Sequence, residues 1–311
     1  MELQTRIDLG RPEFRVDYNT RIALLGSCFV ENIGEKLRYF RFKADVNPCG
    51  IVYNPVSVAN SLKMVMENRR LDEADLLSNN GQWVSLSHHG SFSSPESNIC
   101  LQKINERLEN SHRHLQETDL LVITWGTSWI YRYRPTGQIV SNCHKFPASD
   151  FDRYRLEIAD IENLYTGLLS QLQEFRPGMR ILFTVSPIRH WKDGAHGNQL
   201  SKAVLMLALD KLMRRFGNVS YFPSYEIVMD ELRDYRFYAE DMLHISSGGV
   251  DYIWEKFRDL YFTEEARELM KRVDKINKIL LHRPTTPDSE ASVQLREKAL
   301  LELKSLGFQI S

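Results

Sequence analysis

Residues 26–29 read Gly-Ser-Cys-Phe, which sets a hydroxyl and a thiol side by side. They follow the apolar run RIALL (21–25) and open a stretch in which Phe29, Ile33, Leu37 and Phe40 recur at steps of four, four and three. The first pattern predicts a buried strand and the second an amphipathic helix. Ser27 and Cys28 are therefore expected at a strand-to-helix turn on the carboxyl edge of a sheet, where α/β proteins bind ligands. Unpaired amides in the first turn of a helix favour negative charge. They are expected to lower the thiol's pKa, to make an attacking thiolate available, and to stabilise an oxyanion. The plainer alternative has Ser27 capping the helix and Cys28 packed inward.

A second polar pair lies near the other end, in DYRFYAEDMLHISSGGVDYIWEKF (234–257), where Asp241 and His244 stand three residues apart. One turn can bring them to the same side. In acyl transfer a histidine base needs a carboxylate to fix its tautomer and to stabilise the imidazolium. A surface pair or helix cap is the plainer alternative.

Other polar residues allow weaker readings. His88 and His89, in SLSHHGSFS (85–93), suit either a binding site or a solvated loop. Arg189, His190 and Lys192, in SPIRHWKDGAHGN (186–198), can hold an anionic part of a substrate such as a phosphate or carboxylate. His112 and His114 read as solvated, and Cys49 as packing. Trp125, Trp129 and Tyr131 suit a core or pocket wall better than a sugar platform. None of the four cysteines forms a C-x-x-C pair, and neither a P-loop nor a Gly-x-Gly-x-x-Gly follows a strand. No metal or cofactor is expected.

Five apolar runs have strand character: 21–25, 42–46, 119–125, 180–186 and 218–223. They are nearly continuous rather than alternating, as suits strands covered on both faces of a parallel sheet. Helical periods fill 55–71, 156–175 and 198–216. Strands alternating with helices predict a doubly wound α/β sheet with right-handed crossovers over about 1–262, with 78–118 and 132–155 as insertions at the strand ends. Residues 263–311 read as a charged helical extension, broken at HRPTTPDSE (282–290), that docks on the body or contacts a second copy. The formal net charge of −1 gives no reason to expect nucleic acid or an anionic membrane as partner. No apolar run approaches the ~20 residues of a membrane span. The charged N-terminal stretch, MELQTRIDLGRPEF, lacks the apolar core of a signal peptide, so a cytoplasmic location is expected.

A nucleophile after the first strand and Asp-x-x-His after the last resembles the SGNH (GDSL-like) hydrolases. Within them the chain is most similar to the GSCFA family, with GSCFVENIG carrying Val30 in place of the alanine. Further similar stretches are NPCGIVYNP (47–55), TWGTSWIYRY (124–133), NCHKFP (142–147), TVSPIRHWKDG (184–194) and residues 221–244. The resemblance spans about 15–260. It implies a three-layer α/β/α, flavodoxin-like fold with a parallel sheet of about five strands, and acyl-ester hydrolysis or transfer, with an O-acylated carbohydrate as the substrate class to test. The different-class alternative is a binding module that keeps the fold without catalysis. A gapless overlay of Gly-Asp-Ser-Leu places Ser27 on the aspartate, Cys28 on the serine and Phe29 on the leucine. Cys28 is thus favoured as nucleophile over Ser27, with His244 as base and Asp241 orienting it. The resemblance also implies oxyanion donors at residue 28's own amide, at the Gly50 amide, and at an asparagine side chain after the third strand. Ser128 stands at that last place, so the hydroxyl of Ser128 or Thr127, or the amide of Asn54, is the expected substitute.

Overall fold

The computed structural model describes residues 5–282 and 290–308. Five parallel strands form the central sheet: β1 (Arg21–Gly26), β2 (Lys43–Val46), β3 (Leu120–Trp125), β4 (Arg180–Val185) and β5 (Val219–Tyr221). Their spatial order is β5-β4-β3-β1-β2, with Gly26 of β1 level with Thr124 of β3. The chain therefore leaves β1 towards one edge and crosses back to β3 on the other side. That reversal opens a crevice at the carboxyl ends of β1 and β3.

Alternate strand residues feed two separate cores. Ala23, Leu25, Leu121, Ile123, Phe183 and Val185 pack against α2 (Pro55–Met66), α3 (Ser97–Gln116), α4 (Ile158–Phe175) and α5 (Gly194–Arg215). Ile22, Leu24, Leu120, Val122 and Leu182 face the opposite layer, α1 (Cys28–Tyr39) and α6 (Ser247–Tyr261). Each fully buried Leu or Ile stabilises the fold by about 2 kcal/mol relative to exposure, so a strand shifted by one residue would lose both faces at once. This is a three-layer α/β/α sandwich.

The segment 78–118 is only partly an insertion. Its first part holds a short hairpin, Leu77–Asn79 with Gln82–Val84. The rest is α3, whose Cys100, Ile104, Leu108 and Leu115 enter the core, so it is a regular layer helix. Within 132–155 the chain does leave the repeat, adding Ile139–Val140 and Phe151–Arg155 to Trp129–Tyr133 as a small antiparallel sheet over the strand ends.

Beyond Phe262, α7 (Glu264–Leu281) inserts Ala266 and Met270 into the α1/α6 core. Asn277 donates to the Tyr39 carbonyl, and the Tyr39 hydroxyl donates to Asp274. The final helix, α8 (Glu290–Ser305), packs on α7 through Ile276, Ala299 and Leu303. The break expected in HRPTTPDSE falls at 283–289, outside the described residues. Among the described residues no helix is long and apolar enough to cross a membrane.

Candidate active site

The corner after β1 is fixed from both sides. The Gly26 amide donates to Asn47 Oδ1 at 2.9 Å, and Asn47 Nδ2 donates to Glu31 at 2.7 Å. The Gly26 carbonyl accepts from Val52. Gly26 itself has φ +139°, and a Cβ there would lie 2.1 Å from the Thr124 carbonyl oxygen, so only glycine lets β1 and β3 close up at this point.

Ser27 is the N-cap of α1, yet its side chain makes no capping bond. Its hydroxyl is buried without a partner among the described residues. Cys28 is partly accessible. Burial pushes its thiol pKa up, and this outweighs the amides of Cys28 and Phe29 and the charge of Lys202, all of which pull it down. The expectation that the helix start alone yields a low-pKa thiol is therefore corrected: desolvation dominates.

Two groups from other elements, Lys202 and Tyr53, interact with the sulfur, and His190 adjoins them. Lys202, on α5, is only 2% exposed and donates to the carbonyls of Gly126 and Ser186, both at 2.6 Å. Those two residues directly follow β3 and β4. Burial brings its ammonium down to about 7, Cys28 raising it and Arg189 lowering it. Tyr53 has its phenol pushed up by burial and by Cys28. The His190 ring meets the Tyr53 ring edge-on, with centroids 5.6 Å apart. Burial, with Lys202 second, brings His190 to about 4, so its imidazole is neutral near pH 7.

Asp241 and His244 form a tight polar turn on this rim. Asp241 Oδ1 accepts the amides of Leu243 and His244, each at 2.9 Å. His244 Nδ1 donates to Asp241 Oδ2 at 2.5 Å. That bond first, and the two amides next, hold the Asp241 carboxyl at about 2. Both side chains are solvent-accessible, and the charge of His244 is felt at His190. Among the described residues no hydrogen bond joins the His244 ring to Ser27 or Cys28. Arg189 borders the groove of about 630 Å³ that Asp241 also lines, its guanidinium against Met229 Sδ at 3.6 Å.

On the other side of His190 opens a pocket of about 380 Å³, lined also by Tyr53, Trp129 and Tyr131. The Arg153 guanidinium lies 4.3 Å from the Trp129 ring and pairs with Asp193, a buried carboxylate. Trp129 Nε1, Arg153 Nε and Asp193 Oδ2 are buried without partners among the described residues. Lys192 Nζ donates to the Tyr131 hydroxyl at 2.7 Å.

Several expected donors are committed elsewhere. The Gly50 amide donates to the Asn47 carbonyl at 2.8 Å, closing a turn at φ +78°. The Ser128 hydroxyl is fully buried and donates to Ser201 Oγ, and Thr127 Oγ1 shares the same partner. Asn54 caps α2 through Ser57, using both its amide oxygen and its nitrogen. In this structure Gly50, Ser128 and Thr127 thus direct their polar atoms into the fold, while Asn54, which also lines the 380 Å³ pocket, uses one of its two amide hydrogens on Ser57. What remains at the crevice are the amides of Cys28 and Phe29.

His88 is fully buried with Nδ1 on Ser85 Oγ, so neither a solvated loop nor a substrate contact describes it. His89 does line the 380 Å³ pocket, and its Cβ lies against Gly50. His112 and His114 are not free on the surface, because they hold the carbonyls of Val65 and Ile22. Among the described residues no cluster of three or more His, Cys, Asp or Glu side chains could hold a metal ion.

Lys202 and the Arg153–Asp193 pair went unread in the sequence. Lys202 did leave a signal: it falls on the buried stripe of α5 with Asn198, Ser201, Leu205 and Leu209, where a charge is out of place.

The sequence profile of the GSCFA family matches residues 21–257. No curated protein matches the chain. Its fold is similar to that of a Clostridium thermocellum family two carbohydrate esterase in complex with cellohexaose, at 12% identity over 78% of this chain and 64% of that one (TM-score 0.39). A Clostridium thermocellum family 3 carbohydrate esterase matches at 11% identity over 81% and 97% of the two chains (TM-score 0.38). An acetyl xylan esterase from Butyrivibrio proteoclasticus matches at 10% identity over 78% and 63% (TM-score 0.39).

Proposed function

The chain belongs to the GSCFA family, and we propose that it is an acyl-ester hydrolase or acyltransferase working through an acyl thioester on Cys28. One observation carries this reading. Cys28 is a partly accessible thiol at the first turn of α1, in the crevice between β1 and β3, and the amides of Cys28 and Phe29 favour its anion. Ser27 fits the role less well, because its hydroxyl is shut inside.

In the proposed reaction Cys28 Sγ bonds to the ester carbonyl carbon while its proton passes to His244 Nε2. Asp241 holds Nδ1–H, which leaves Nε2 as the basic nitrogen, and it stabilises the imidazolium. The oxyanion is met by the two first-turn amides. Collapse breaks the C–O bond, and His244 returns the proton to the departing alcohol. Water, or an acceptor hydroxyl deprotonated by His244, then cleaves the thioester.

The alcohol part suits the pocket beside Tyr53. There Arg153 is neutralised by Asp193, while unpartnered donors and an acceptor stand together. A hydroxylated, uncharged group such as a sugar ring can serve both kinds of atom. An anion would meet only Lys192 there, because His190 is neutral near pH 7 and Arg153 is paired with Asp193. A thiol nucleophile must stay reduced, which suits a reducing compartment such as the cytoplasm.

A non-catalytic binding module is the second reading, favoured by the commitment of Gly50 and Ser128 to internal bonds. 4-Nitrophenyl acetate separates the two. The enzyme reading expects a burst of nitrophenolate, an acetyl group on Cys28 by peptide mass spectrometry, and loss of both in Cys28→Ala. Native protein that never acquires the acetyl group sinks it.

A further inference from the structure

Lys202 is hard to account for by folding alone. A buried ammonium ordinarily sits beside a carboxylate, because desolvating an isolated charge is costly. Among the described residues Lys202 has no ion pair. Its acceptors are two neutral carbonyls, Gly126 and Ser186, and the Tyr225 ring lies 5.8 Å from the nitrogen. A methionine of similar length would avoid the desolvation.

The position of those carbonyls is informative. Thr124 of β3 is level with Gly26, so Gly126 lies at the strand end adjoining Ser27 and Cys28. Ser186 ends the next strand over, and its amide bonds back to the Trp125 carbonyl. The ammonium is thus clamped across the tips of β3 and β4, on the floor of the crevice into which α1 starts. Cys28 from α1 and Arg189 from the loop after β4 are felt at the ammonium, which is in turn felt at His190 from the same loop. The Tyr225 ring, from the segment after β5, lies 5.8 Å away, and Cys28 is felt at Tyr53, from the loop after β2. Arg189 opposes the ammonium, and His190 is neutral near pH 7. Burial pushes the Tyr53 and Tyr225 phenols up and keeps them neutral, which leaves Cys28 as the group felt at Lys202 that can supply an opposing negative charge.

We propose that Lys202 is a positioning cation, the counter-charge that in its ammonium form holds the Cys28 thiolate in the β1–β3 crevice. It neither gives nor takes a proton in the reaction. The thiol proton leaves to His244 or to water, and the anion left behind faces an ammonium that two carbonyls keep from turning away. The inference concerns the same sulfur as the acyl-transfer reading but does not need an ester.

The test is iodoacetamide alkylation of Cys28 between pH 5.5 and 9.5, followed on its own peptide so that Cys143 does not interfere. Lys202→Met removes charge and donors, while Lys202→Gln removes the charge and keeps N–H donors for the two carbonyls. Both variants are expected to slow alkylation at pH 7, where the ammonium is still partly present, about tenfold and to reduce the two-step wild-type profile to a single step, the effect of removing a nearby opposite charge. A merely structural lysine predicts that Lys202→Gln behaves as wild type. Either variant, folded by near-ultraviolet circular dichroism, keeping the wild-type profile overturns the proposal. If neither folds, the wild-type profile decides. A coupled ammonium and thiol titrate over a broader range than one proton, and a single one-proton curve overturns the proposal. Acetylation from 4-nitrophenyl acetate, measured in parallel, separates the two claims: a shifted profile without acetylation keeps Lys202 and loses the enzyme, and the reverse result does the opposite.

Discussion

Replacing Lys202 by methionine should change how stability depends on pH. The folded ammonium titrates at about 7 and the unfolded one at its ordinary 10.5. Between those values the unfolded chain binds more protons, so wild-type stability rises with pH across that window and is lowest below it. One unit is worth about 1.4 kcal/mol, which puts the cost of burying this amine at roughly 4 kcal/mol at pH 7. Methionine removes that cost but strands the Gly126 and Ser186 carbonyls, each at about 1–3 kcal/mol. The absolute difference near neutrality is therefore small, and the slope is what tests the idea. From pH 6.5 to 8.5 wild type should gain about 2 kcal/mol on the variant. Above that range Cys28 begins to titrate. Below it His190, held at about 4 in the fold, loses its own contribution as pH falls through 6.5 towards 4. Urea unfolding at pH 6.5, 7.5 and 8.5 gives the two curves. A gap constant to within about 0.5 kcal/mol would show that the amine keeps its ordinary basicity, and the argument that burial costs the ammonium its proton would fail.

Four other outcomes follow from the same geometry. His244→Ala should slow acetylation of Cys28 by about 10²–10⁴-fold while leaving the melting temperature within 2–3 °C, since the ring is exposed; equal acetylation rates would remove it as the base. Ser27→Ala should keep full labelling and should not destabilise, because the buried hydroxyl has no bond to lose; loss of labelling would move the nucleophile one residue back. Asp193→Asn should lower kcat/KM for a methyl glycoside acetate about tenfold or more and leave 4-nitrophenyl acetate unchanged, which steady-state kinetics on the two esters resolves. Gly26→Ala should cost more than about 3 kcal/mol in urea unfolding, because its methyl group meets the Thr124 carbonyl.

What the sequence shows of this molecule depends on how far apart the partners lie along the chain. All five strands and the corner at Gly26 were legible, because strand runs and the stripe of α1 are local patterns that the sheet only assembles. The Asp241–His244 bond was legible for the same reason, being closed within one turn. α3 was missed as a layer helix although Ile104 and Leu108 keep its period, since Glu, Gln and Asn dominate its outer face. The internal bonds made by the expected oxyanion donors are hidden for a different reason. Position relative to a strand end can be read from a motif, but whether the Gly50 amide is free depends on an Asn47 carbonyl that the turn brings within 2.8 Å. Lys202 is the extreme case. Its meaning is set by carbonyls 76 and 16 residues away and by a sulfur on another helix. A lysine on an apolar stripe is visible in one dimension as an inconsistency, and the sheet edge that it clamps turns that inconsistency into a charge opposite the first turn of α1.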